Sequence, residues 1–154
     1  MRRRFKGLGD IALTDDYKYI PVGEFAAEIA AVKEVDSKKA PGVTNVIMEF
    51  RALESDGGAK EGETYSHIFP VTGEKAQYGF RDLKAVLVAA LDEETLSGIE
   101  SETDWEDAAE SVVCEDSPLI GERLRIRAFL KAASEKSKHA GREFVRVRFV
   151  RLEQ

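Results

Sequence analysis

The spacing of apolar and polar residues changes period several times along the chain. Residues 43–54 alternate, with Val46, Met48, Phe50 and Ala52 on one face and Asn45, Ile47, Glu49 and Arg51 on the other. A period of two is the mark of a half-buried strand. Residues 63–71 alternate again, Tyr65, His67 and Phe69 against Thr64, Ser66 and Ile68. So do 122–131, with Leu124, Ile126, Ala128 and Leu130 against Arg123, Arg125, Arg127 and Phe129. The last alternation, over 142–152, sets Val145, Val147 and Phe149 against Phe144, Arg146 and Arg148. An earlier run from Glu24 to Val35 places Phe25, Ala27, Ile29 and Ala31 on one face, and Val32 and Val35 break its period. A bulged, strongly curved strand fits that pattern. The alanines at 26, 27, 30 and 31 also permit a helix, and the strand is the preferred reading.

Between the third and fourth strands the period becomes helical. Phe80, Leu83, Leu87 and Leu91 recur three or four apart, among Ala85, Val86, Val88 and Ala90. This predicts a helix from Glu74 or Gly79 to Leu91. Residues 92–118 are acidic and poor in large apolar groups, apart from Trp105 and Val112-Val113, which leave room for a short docked helix. Loops are marked by Pro21-Val22-Gly23, Asp36 to Gly42, Ser55 to Gly62, Gly73, Pro118 to Gly121 and Ala132 to Gly141. The resulting order, β-β-β-α-β-β, is that of the OB-fold, a partly open five-stranded barrel. The predicted fold class is therefore mainly β. Residues 1–20 form an N-terminal arm and 21–154 the OB-fold domain, with an acidic insertion at 92–118 between the helix and strand 4. The helix is expected to plug one end of the barrel. No internal repeat is visible.

Composition narrows the function classes. At 154 residues and 43% hydrophobic, the chain can bury a single core. No apolar run approaches the roughly 20 residues of a membrane span. The basic start, Met1-Arg2-Arg3-Arg4-Phe5-Lys6, is followed by no apolar segment, so a secretory signal is not expected. The one cysteine, Cys114, fits a reducing cytoplasm. One Cys and two His, His67 and His139, are too few for a structural zinc site, and no cofactor or metal is expected. The net charge of −6 opposes nucleic-acid binding until its distribution is considered. Residues 1–120 hold 13 Lys/Arg and 25 Asp/Glu, whereas 121–154 hold 10 and 4. The segment 92–116 alone carries 11 acids and no Lys or Arg. Screening beyond roughly 8 Å lets a basic face coexist with an acidic total. The acidic segment is expected to be mobile or to lie away from the basic face.

No dinucleotide fingerprint, phosphate-binding loop or nucleophile elbow is present, and no catalytic residues are expected. Acidic pairs such as Glu106-Asp107 read as a solvated surface. Arg123, Arg125 and Arg127 project from one face of one predicted strand, and Arg146 and Arg148 from the next. Guanidinium groups grip phosphate by bidentate hydrogen bonds. Phe129 and Phe144 share those faces, and ring stacking holds the bases of single strands. An OB-fold uses strands two and three and the loops 1–2 and 4–5 for nucleic acid. Here those loops carry Lys38 and Lys39, then Lys131, Lys136, Lys138, His139 and Arg142. The face between them offers Arg51 with Tyr65, His67 and Phe69, three rings that the core equally claims. Two plainer readings stay open for the arginines: a solvated sheet face, or pairing with the 92–116 acids.

Certain turns and strand edges are similar to those of a known family. These are Pro21-Val22-Gly23-Glu24-Phe25, Val32-Lys33, Ser37-Lys38-Lys39, Glu49-Phe50-Arg51-Ala52-Leu53-Glu54-Ser55-Asp56, Glu61-Gly62-Glu63 and Phe80-Arg81-Asp82-Leu83-Lys84-Ala85. Together they resemble the phage-encoded OB-fold single-stranded DNA-binding proteins, over residues 20–92 and, more loosely, 119–152. The resemblance implies largely sequence-independent coating of single-stranded DNA in replication or recombination, in the cytoplasm of a host cell. It implies replication or recombination proteins as further partners, with a homo-oligomer open. The last residues, Arg151-Leu152-Glu153-Gln154, do not form the acidic tail of bacterial single-strand binding proteins, so recruitment through such a tail is not expected. Two rival classes remain: an interaction module that docks a protein through its acidic segment, and an accessory domain of a nuclease or other enzyme.

Overall fold

A computed structural model of the chain describes residues 18–36, 42–132 and 143–152. Five strands form one antiparallel sheet: β1 (Gly23–Asp36), β2 (Thr44–Ser55), β3 (Thr64–Pro70), β4 (Arg123–Ala132) and β5 (Glu143–Arg151). Three helices lie between β3 and β4: α1 (Ala76–Ala90), α2 (Glu93–Ser97) and α3 (Glu102–Val112). The spatial order is β3-β2-β1-β4-β5, so the long first strand is central. The alanine-rich run is strand, not helix, and its register against β2 slips between Ala26 and Ala27 and again between Ile29 and Ala31. Each slip turns the strand by one residue, which is why the buried face passes from Phe25, Ala27 and Ile29 to Val32.

The inner face collects Phe25, Ile29, Met48, Phe50, Phe69, Leu124 and Ile126, all fully buried. Helix α1 covers this face and touches β3, β4 and β5. Its buried stripe is Gly79, Leu83, Val86, Leu87 and Ala90. Phe80, expected in that stripe, is 53% exposed instead. The register one residue earlier wins because Gly79 lets the helix sit against Pro70, where a Cβ would collide with the carbonyl. The helix is anchored at its other end by Arg151, whose Nη2 donates to the carbonyls of Val88 (3.0 Å) and Leu91 (2.7 Å). Those are carbonyls that a helix C-terminus leaves unpaired.

The two sheet edges, β3 and β5, have no ladder between them among the described residues. Their inner side chains nevertheless meet: the Phe149 ring lies 5.8 Å from Phe69, 5.2 Å from His67 and 5.4 Å from Phe50. The sheet therefore curls far enough for its margins to share one core. Part of the β3 edge is covered by the preceding chain, where Ser66 N donates to the Lys18 carbonyl (2.7 Å) and Ile20 is buried. An edge covered this way offers fewer free groups to other strands. The expected arm thus has its last residues built into the fold.

The acidic segment is folded. Ser101 and Asp104 form a reciprocal capping box at the start of α3. Val112 is buried and Trp105, Ala109 and Val113 pack against the core, so α3 is docked on α1 through the few apolar residues that the segment contains.

Candidate nucleic-acid interface

Alternation in β4 and β5 fixes the outer face of this half of the sheet. With Leu124, Ile126 and Ala128 turned inward, Arg123, Arg125, Arg127 and Phe129 turn outward. Val147 and Phe149 do the same for Arg146 and Arg148. The register sets Arg127 opposite Arg148 and Phe129 opposite Arg146. Like charges directly opposed across a pair of strands repel. Part of that charge is met by Glu24 on β1, whose Oε1 lies 3.2 Å from Arg125 Nη1 and 3.1 Å from Arg127 Nε. Arg148 leans over the Phe129 ring, 5.5 Å from its centroid. Among the described residues, Arg123 and Arg148 make no ion pair. Phe144, opposite Lys131, is 46% exposed. This face therefore joins unneutralised guanidinium groups to accessible rings.

A second cluster sits where α1 meets both sheet margins. His67 Nε2 lies 3.4 Å from Asp82 Oδ2, and Arg146 Nη1 lies 3.5 Å from Asp82 Oδ1. Arg81 Nε approaches the same Oδ1 at 3.6 Å. Burial alone would raise the Asp82 carboxyl. The His67 hydrogen bond and the charges of His67, Arg146 and Arg81 outweigh it and hold the group below its ordinary range. Asp82 thus ties β3 to β5 through side chains where no ladder joins them.

The β2–β3 face is different. Its outward Arg51 is matched, with Nη1 3.0 Å from Glu28 Oε1, and so is the neighbouring Lys33 of β1, whose Nζ lies 3.8 Å from Glu49 Oε1. Of the rings expected there, Tyr65 is 5% exposed and Phe69 is 0% exposed, both in the core. Tyr65 Oη accepts from Lys60 N (2.8 Å). His67 lies edge-on between Phe69 and Phe149. As placed, Tyr65 and Phe69 have no free face for a base, because the inner side of β3 is the side that the helix and β5 cover. Lys38, Lys39, Lys136, Lys138, His139 and Arg142 lie outside the described residues.

The sequence pattern did not single out Asp82 and Arg151 as polar anchors, nor Tyr78 and Arg81 as a ring and cation at the surface. The signal for Tyr78 and Arg81 was available in their spacing of three on a predicted helix. Asp82 and Arg151 carried no such signal, since their partners lie on other elements. Among the described residues no three His, Cys, Asp or Glu side chains converge to hold a metal ion. No described helix is long and apolar enough to cross a membrane. No protein-family model matches the chain, and no curated protein sequence matches it.

Proposed function

We propose that this protein binds single-stranded DNA without acting on it chemically, through the outer face of β4 and β5. The observation that carries the reading is the union on one sheet face of Arg123, Arg125, Arg127, Arg146 and Arg148 with Phe129 and Phe144: Glu24 pairs with Arg125 and Arg127 and Asp82 with Arg146, while Arg123 and Arg148 make no ion pair among the described residues. Guanidinium forks take phosphate oxygens, and exposed rings take bases of any identity, so binding is largely independent of sequence. The strand order, with a helix between β3 and β4, supports an OB-type barrel whose last seam is closed by side chains and α1. A coating role in phage replication or recombination, in a host cytoplasm, goes with that reading.

The test is fluorescence anisotropy of labelled poly-dT at several salt concentrations. Binding is expected, weakening with salt at a log–log slope of about −0.7 per phosphate contact. Absence of binding to poly-dT and to mixed single strands at low salt would overturn the reading. A basic-face protein of this kind should also leave the oligonucleotide intact when magnesium is added.

A further inference from the structure

We infer that the bound strand leaves the sheet at the β5 margin and continues onto α1, where Tyr78 and Arg81 form a subsite for one nucleotide. The inference rests on the single-strand reading above and specifies where the strand runs. Three observations carry it. The first is charge. Arg51 on β2 and Lys33 on β1 each have a carboxylate of their own, whereas at the margin between β5 and α1 Arg81 and Arg146 share the one carboxylate of Asp82, next to Arg148, which makes no ion pair among the described residues. A phosphate backbone follows the excess of positive charge.

The second is the cleft between α1 and β5. It is open to solvent, has a volume of about 210 Å³, and is lined by Arg81, Asp82, Arg146 and Arg148 together with apolar residues of α1 and β5. Arg81 and Arg146 flank the same oxygen of Asp82, so that carboxylate orients two guanidinium groups towards one opening. With three arginines around one acid, the cleft keeps a net attraction for an anion. A water occupies about 30 Å³ of liquid, so the cleft admits a phosphodiester with some of its hydration.

The third is the ring beside it. Tyr78 is 57% exposed on α1, and Arg81 Cζ lies 5.5 Å from its centroid. The same pairing of guanidinium and ring occurs across the cleft, with Arg148 over Phe129. Each pair supplies a stacking face for a base with a cation next to it for the attached phosphate. The cations of both pairs, Arg81 and Arg148, line the same cleft, so a phosphate held there has a ring within reach of each. Asp82 is here a positioning residue; Tyr78 and Arg81 touch the strand.

The experiment measures poly-dT anisotropy against salt for the full chain and for Arg81→Gln, Tyr78→Ala and Arg51→Gln, with melting temperature as the folding control. Arg81 and Tyr78 are solvent-facing, so both variants are expected to melt as the parent does. Arg81→Gln should flatten the salt slope by about 0.7. Tyr78→Ala should weaken binding roughly fivefold or more at every salt concentration, with the slope unchanged. Arg51→Gln should change neither. If the parent binds but Arg51→Gln alone weakens it, the strand runs over β2 and β3 and the inference is overturned while the function stands. If the parent binds and none of the three variants differs, the α1 subsite is likewise refuted. If the parent does not bind, both fall together. Photocrosslinking of the oligonucleotide, mapped by mass spectrometry, should add Tyr78 and Phe144 to the DNA and leave Tyr65 free; a crosslink at Tyr65 without one at Tyr78 counts against the inference.

Discussion

At the scale of single residues, close approach decides more than propensity. Gly79 sits inside α1, where alanine would ordinarily favour the helix by about 1 kcal/mol. A Cβ there would run into the Pro70 carbonyl and backbone nitrogen, which cannot swing aside as a side chain can. The overpacking term, on the order of 1–3 kcal/mol, exceeds the propensity gain. Gly79→Ala should therefore lower the melting temperature, and a rise would show that α1 can shift without cost. Asp82 works through charge. Its folded carboxyl titrates below the unfolded one, so its contribution is present above about pH 4 and is lost as the pH falls through the depressed value. Asp82→Asn should destabilise the protein at neutral pH. Its melting curve should converge on that of the parent in acid, and a gap that stayed constant with pH would rule out the ionic tie.

The elements show how the acidic segment is held. Helix α3 has 11 residues, few of them apolar, and isolated helices of that length are marginal in water. Its capping box satisfies two backbone donors, but docking depends on Val112 and on Trp105, over whose ring Lys84 Nζ sits at 4.5 Å. A half-buried tryptophan costs less to remove than the roughly 3–5 kcal/mol of a fully buried one. Trp105→Ala should destabilise by about 2 kcal/mol and loosen α3, seen as faster amide exchange over 102–112. The salt slope of DNA binding should not move, because no residue of α3 belongs to the arginine face. A changed slope would mean that the acidic helix competes for it.

For the whole molecule, the face proposed to bind DNA also contributes to stability. Arg125 and Arg127 hold Glu24, and Arg146 holds Asp82, so these arginines are not merely solvated. Replacing Arg125, Arg127, Arg146 and Arg148 together by Gln should flatten the salt slope by about 0.7 for each phosphate that the face no longer neutralises. The same variant should melt lower than the parent, with most of the decrease reproduced by Arg146→Gln alone, because that change leaves the partly buried Asp82 without a cation from β5. Equal melting temperatures would show that the seam does not depend on the ion pair.

Local pattern was enough for the five strands, the helix that covers them and the inward side of β2 and of β4 as far as Ala128; Leu130 and Val145 keep the alternation yet end exposed. Alternation of Val46-Met48-Phe50 or Leu124-Ile126-Ala128 is a local property, and burying one face of a pleated strand leaves one solution. The irregular period of Gly23–Asp36 likewise announced the bulges that let β1 curve. What only the tertiary structure decided are the contacts between elements far apart in the chain. Tyr65 and Phe69 alternate as outward residues could, yet the curl of the sheet brings β5 and α1 over that face and makes them interior. Phe80 fits the helical stripe as well as Gly79 does, and only the approach of Pro70 selects between them. The Asp82 cluster draws on β3, α1 and β5, so no local pattern could disclose it. The charges of Arg125 and Arg127 were legible as a stripe, but their partial neutralisation by Glu24 was not, because pairing across strands depends on register and register depends on the whole sheet.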